Sequence, residues 1–194
     1  MRRLVFPMIF LALVLASALA APAAHAEAKL GIKGIGAHLD YVDPEGLDGV
    51  IGVGGLVELG TIAPRVHLEG NVDIWSKSNT VFSVKTTIRD IAFGGTVTYY
   101  FLGEADSPVQ YYAGGGLALH MVHAKVSGSY YVPEYYPYST EASNTDTKLG
   151  IDLAGGARYA LSGPFQVLGE LRYRLVSDTN QFELRGGLVY KLGK

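Results

Sequence analysis

The chain has 194 residues, 48% of them hydrophobic, with no cysteine and with 16 basic against 18 acidic side chains. That length suits one domain with a full core or a small barrel. The missing cysteines exclude disulfides and thiolate metal sites, and the acidic balance argues against a nucleic-acid partner.

Arg2 and Arg3 precede an apolar run from Leu4 to Ala20, and Ala24-His25-Ala26 offers a small-residue cleavage site before Glu27. A basic start, a short apolar core and an A-x-A site predict a cleaved signal peptide over residues 1–26. The exported domain is then 27–194, with 14 Lys+Arg against 18 Asp+Glu. Without disulfides it must be held by hydrogen bonding and packing, which a closed sheet provides without leaving unpaired edges. After Ala26 no apolar stretch reaches the roughly 20 residues of a transmembrane helix, and no 3.6-residue periodicity is sustained.

What does recur is period two, the mark of strands with unlike faces. Eight segments alternate between turn residues: Leu30–Val42, Val50–Ile62, Val66–Lys77, Asp90–Leu102, Gln110–Val126, Lys148–Leu161, Phe165–Ser177 and Gln181–Leu192. VFSVKTTIRD, before the fourth, also alternates and allows that strand to begin earlier. The second and sixth connections, APR and SGP, are tight, whereas the third and fifth, SNTVFSVKTTIR and SGSYYVPEYYPYSTEASNTDT, are long. Short turns at one end and longer connections at the other predict an all-β, eight-stranded antiparallel up-and-down transmembrane barrel. About ten residues per strand, tilted roughly 40°, cover its apolar band of about 25 Å.

One parity of these strands is uniformly apolar. Val66, Leu68, Val72 and Ile74 share it in the third strand, and Ile91, Phe93, Val97, Tyr99 and Phe101 in the fourth. Charge on a lipid-facing wall costs roughly 2–4 kcal/mol for Arg or Lys at the midplane, which explains a charge-free face. Tyr99, Phe101, Tyr111, Tyr159, Phe165 and Tyr190 flank the even-numbered turns or the C-terminus, as an aromatic girdle at one membrane interface would.

The opposite parity carries Glu58, Glu69, Asp73, Asp152, Glu170 and Glu183 together with Arg158, Arg172, Arg174, Arg185 and Lys191, to which Lys33 is added as a sixth base. Between them stand Gly94, Gly114, Gly116, Gly150, Gly156 and Gly187, which leave room for long side chains. An eight-stranded interior is just wide enough to be filled by side chains, and buried charges must be paired. The expectation is a salt-bridged lumen. The first strand is less regular, since Lys33, Ile35, Leu39 and Tyr41 share one parity, and a bulge would explain it.

IAFGGTVTYYF (91–101), VQYYAGGGLAL (109–119) and the final alternating strand resemble the small eight-stranded outer-membrane barrels of Gram-negative bacteria, the group containing the OmpA membrane domain and OmpX. The resemblance covers 27–194 and implies the outer membrane as location. It also implies a monomer, with outer-membrane lipid, lipopolysaccharide and the barrel-insertion machinery as partners. It implies no cofactor and no activity by itself. Such barrels usually end on an aromatic residue, whereas here Tyr190 and Leu192 are followed by Gly193-Lys194.

Some related barrels modify lipids, so nucleophile and base pairs matter. His38 and Asp40 share a strand face, and Ser127 and Ser129 follow His123, but polar residues at a strand end are the simpler reading. His120 and His123 are three apart and therefore on opposite faces, which disfavours a metal site. No catalytic, cofactor or metal residue is assigned. The 127–147 segment, with Tyr130, Tyr131, Tyr135, Tyr136 and Tyr138, is the expected surface-binding element, because tyrosines give rigid amphipathic contact area. The expected role is therefore structural or adhesive. A narrow porin-like channel, a lipid-modifying enzyme and a soluble lipocalin-like barrel are the alternatives.

Overall fold

A computed structural model describes residues 28–82, 84–102, 107–132, 135–177 and 179–192, and for 129–140 the backbone course alone. The predicted signal peptide lies outside these residues. Eight strands follow in order: β1 (Lys29–Pro44), β2 (Val50–Ala63), β3 (Val66–Val81), β4 (Val84–Leu102), β5 (Val109–Val132), β6 (Tyr135–Ala160), β7 (Phe165–Val176) and β8 (Gln181–Lys191). Each pairs antiparallel with its neighbours in sequence, and β1 closes the ring on β8 from Gly34↔Lys191 to Pro44↔Gln181. Closure satisfies every strand edge, as the absence of disulfides requires.

The expected parity holds along the walls. On β7 and β8 exposed and buried residues alternate almost without interruption. Leu117, Leu119, Leu171, Leu184 and Leu188 point outward, while Asp152, Arg174 and Glu183 are wholly enclosed. This inverts the usual soluble arrangement and makes the exterior the greasy face.

The ends differ more than the connections alone suggested. The 127–147 segment is not a loop: β5 and β6 continue pairing through it, with Lys125↔Ser143, Ser127↔Glu141 and Tyr130↔Tyr138. These strands are 24 and 26 residues long, against 12 and 11 for β7 and β8. VFSVKTTIRD likewise belongs to the β3–β4 hairpin, which is paired as far as Val81↔Val84. The physical reason is visible in the sequence, since alternation and β-branched residues such as Thr86, Thr87 and Ile88 favour continued pairing over a solvated loop. At the other end the turns are short, with Arg65 at φ 64° and Gly163 at φ 77° in the left-handed region that tight reversal needs.

Candidate functional site

The lumen is built from one side-chain parity of all eight strands. Towards the short-turn end, Lys191 donates from Nζ to Glu58 Oε2 at 2.7 Å, and Glu58 also receives Arg158. Arg158 reaches across to Glu69 at 2.8 Å, with its guanidinium 5.7 Å from the centre of the Tyr112 ring. The Tyr112 hydroxyl donates to Glu170 at 2.7 Å. Glu170 accepts from Arg172 at 2.9 Å, and Arg172 turns its other arm to Asp152 at 3.0 Å. Leu56, Tyr100, Tyr112, Leu168 and Val189 form an apolar cluster beneath this end.

Further along, Asp73 receives Arg174 and, at 2.9 Å, Arg185. Arg185 is the hub: it also donates to Asp40 at 3.0 Å and to Glu183 at 3.2 Å. His38 Nδ1 lies 2.9 Å from Asp40. Nearest the long hairpins, His120 Nδ1 lies 2.8 Å from Asp90, which accepts from Gln181 at 2.9 Å. Gln181 in turn accepts from the Trp75 indole at 3.3 Å. Polar contacts thus occupy nearly the length of the barrel, as one network from Lys191 to His38 and a second cluster around Asp90, and at low dielectric each link guards against a costly unpaired charge.

Glycines make the room. A Cβ at Gly156 would stand 2.8 Å from the Tyr112 hydroxyl, one at Gly187 2.7 Å from His38 Cβ, and one at Gly150 2.9 Å from His120 Nε2. The small residues of the polar parity therefore lie opposite its large ones, and the interior is filled by interlocking rather than by uniform size.

Of the twelve residues expected in the lumen, ten are buried there and Lys191 is half-buried at its rim. Lys33 is the exception. It is exposed and stands on the outward parity with Ile35, at the end of β1 where the pairing with β2 shifts register between Leu30 and Gly34. A lysine at the rim reaches water with its amine while its stem lies along the wall, so the charge did not require the interior. The expected balance of six acids and six bases also changes. Asp40 and Asp90 are buried with the other acids, and the two enclosed histidines, His38 and His120, face them. Alternation from Ile91 would have placed Asp90 inside, and the irregular start of β1 concealed Asp40.

On the outer wall Tyr99, Phe101, Tyr111, Tyr159, Phe165 and Tyr190 are all exposed towards the short-turn end, and the Phe165 and Tyr190 rings meet edge to face at 5.3 Å. At the opposite end of the apolar band, on the β7–β8–β1 side, stand three further exposed aromatics, Tyr41, Tyr173 and Phe182.

Residues 10–191 match the outer membrane protein beta-barrel domain family. The chain belongs to that family. No curated protein matches it in sequence. Among solved structures it is similar to Neisserial surface protein A of Neisseria, at 17% identity and a TM-score of 0.59, covering 82% of this chain and 96% of that one. The attachment invasion locus protein Ail of Yersinia pestis follows at 13% identity and TM-score 0.55, covering 83% and 97%. A major outer membrane protein of Thermus thermophilus gives 12% identity and TM-score 0.55, covering 84% and 100%. At these identities the structures speak for the fold. The barrel resides in the outer membrane, with its apolar wall in lipid and its charged wall inside.

In an outer-membrane barrel the long hairpins project outward from the cell and the short turns face the periplasm. The histidine pairs take their places accordingly. His38 and Asp40 are enclosed in the lumen, where Arg185 engages Asp40. Oxygens of Asp40 and Asp73 with a nitrogen of His38 lie within 4.8 Å of one another, but guanidinium groups already supply cations to both carboxylates. His120 faces inward and His123 outward, where its Nδ1 is 2.8 Å from the Thr145 hydroxyl. Ser127 lies on the same outward face, two outward positions along the strand from His123. The tyrosine side chains at the hairpin tip lie outside the described residues.

Proposed function

We propose that this is a non-enzymatic surface barrel, closed to solute flow, whose role is to display the β5–β6 hairpin beyond the membrane. The observation that carries the reading is the filled lumen, ion-paired from Lys191 and Glu58 to Arg185 and Asp40, with the hydrogen-bonded Asp90–His120–Gln181 cluster beyond it towards the long hairpins. Opening a water path through it would require separating several buried pairs together, each worth on the order of 3–5 kcal/mol when one partner is removed. The length of β5 and β6 supports the display role, and Tyr130, Tyr131, Tyr135, Tyr136 and Tyr138 would be its contact residues. Ail, whose fold is similar, has been crystallised with a heparin analogue, which supports an external ligand for barrels of this shape.

Planar-bilayer recording on the refolded full chain tests closure. The expected trace shows no stable conductance steps. A steady open level would replace this reading with a narrow channel. Display is tested by replacing the five tyrosines with serine and measuring adherence of cells carrying the protein. Unchanged adherence would remove the hairpin tip from the proposal.

A further inference from the structure

The outward wall of the long hairpins changes character abruptly where the apolar band ends. Ile74, Ile91, Met121 and Leu149 are its last greasy residues on β3 to β6. The next outward positions are Ser76, Arg89, His123 and Thr147, followed by Ser78, Thr87, Lys125 and Thr145. Register places these side by side: Arg89 pairs with Ser76 and His123, Thr87 with Ser78 and Lys125, and Lys85 with Thr80 and Ser127. Lys85, Thr87, Arg89, His123, Lys125 and Ser127 together line a shallow concavity of about 350 Å³.

Three permanent cations share this wall with one nearby carboxylate. Lys125 holds Glu141 at 2.6 Å, while Arg89 and Lys85 have no carboxylate partner among the described residues. Asp146, a second acid of the same hairpin, stands on the other face, where it accepts from Asn144. Basic groups on neighbouring strands repel, so the arrangement is unfavourable by itself. The hydroxyls around them are donors that suit an anion's oxygens, and Ser78 and Thr87 already lie 2.8 Å apart.

We propose that this wall binds the phosphate groups of the anionic glycolipid in the outer leaflet, laterally and at headgroup depth. Height decides between anions. The patch begins one outward residue above Ile91 and Met121, so a phosphate attached to acyl chains packed on Phe93, Leu117 and Leu119 arrives beside Arg89, His123 and Lys125. Arg89 offers a planar fork for phosphate oxygens, and Lys85 and Lys125 offer point charges. The barrel's own bases would then stand in for the mobile cations that otherwise separate neighbouring phosphates. The site is distinct from the hairpin tip and from the lumen, and its failure would leave the closed, displaying barrel untouched.

The test uses the full chain refolded into nanodiscs of phosphatidylcholine containing a minority of bisphosphorylated lipid A, with lipid retained per barrel counted by native mass spectrometry. Lipid A should be enriched around the wild type. The triple variant Lys85→Gln, Arg89→Gln, Lys125→Gln should lose at least about tenfold in that preference, since each base near an anionic surface contributes on the order of a factor of five. Heat-shifted gel mobility establishes that the variant is folded, and Arg89→Lys should retain most of the enrichment. Equal enrichment by wild type and triple variant would overturn the proposal. So would displacement of lipid A by soluble heparin at matched phosphate and sulfate concentration, which would make the wall a site for free polyanions.

Discussion

The lumen and the outward wall of the long hairpins both carry arginine and lysine, yet they treat them differently. Inside, each of Arg158, Arg172, Arg174 and Arg185 meets at least two carboxylates. Outside, Arg89 and Lys85 sit among hydroxyls, and among the described residues only Lys125 of the three has an acid at hand. The environments account for the contrast. An unpaired ion in a filled lumen loses its hydration and gains nothing, whereas at the headgroup boundary water, salt and lipid phosphate remain available. Pairing within the chain is compulsory in one region and optional in the other, so the optional region is free to use its charge on something else.

The comparison is broken most severely by removing a guanidinium from the lumen. Arg185→Leu leaves Asp40, Asp73 and Glu183 short of a cation, and the expected loss is about 3–5 kcal/mol, read from urea unfolding in phospholipid vesicles. A loss under about 1 kcal/mol would mean that water reaches these carboxylates and that the lumen is wetter than its packing implies. Arg89→Leu is the matched change outside. It should alter stability by less than about 0.5 kcal/mol, because no carboxylate is stranded.

Steric filling can be broken without touching a charge. Gly187→Val places methyl groups against His38 and the Ala37 carbonyl, and Gly186→Val, one position away on the outer wall, meets nothing within 4 Å. The first should destabilise by about 1–3 kcal/mol and slow insertion followed by gel mobility, while the second should be close to neutral. Similar effects at both positions would show that the strand's tolerance for bulk, not lumen packing, governs the response.

The same contrast explains what the amino-acid sequence disclosed. Where a strand is read through regular alternation, parity separates lipid from lumen, and Arg172, Arg174, Glu183 and Arg185 were legible for that reason. Lys33 stands outside, where its parity and not its charge puts it. The rule against charge on the greasy wall weakens at the rim, where a lysine can reach water. Asp40 and His38 were visible as a same-face pair but not as members of the network, since partners such as Arg185 lie 145 positions away in the chain and only closure of β1 on β8 joins them. The long connections looked like loops because serine, asparagine and proline are frequent in them. Their alternation, which the β3–β4 hairpin also shows, was the better guide. Lumen partners remained open because strand register cannot be read from one sequence when both faces are so uniform.

The smallest effects sharpen the comparison most. Lys125 and Glu141 form an ion pair at 2.6 Å with side chains 41% and 61% accessible, so its contribution to folding is screened. Glu141→Gln should change unfolding free energy by less than about 1 kcal/mol, within reach of careful urea titration. It should act in the opposite sense on the lipid, since releasing Lys125 from Glu141 adds a cation to the wall. Lipid A retention per barrel should then rise while stability hardly moves. In the lumen no single substitution can separate the two quantities, because each carboxylate there is simultaneously a structural partner. A variant in which retention and stability fell together would place Glu141 on the compulsory side of the division, and the boundary between paired and available charge would lie farther out along the hairpin than Ile91 and Met121 mark it.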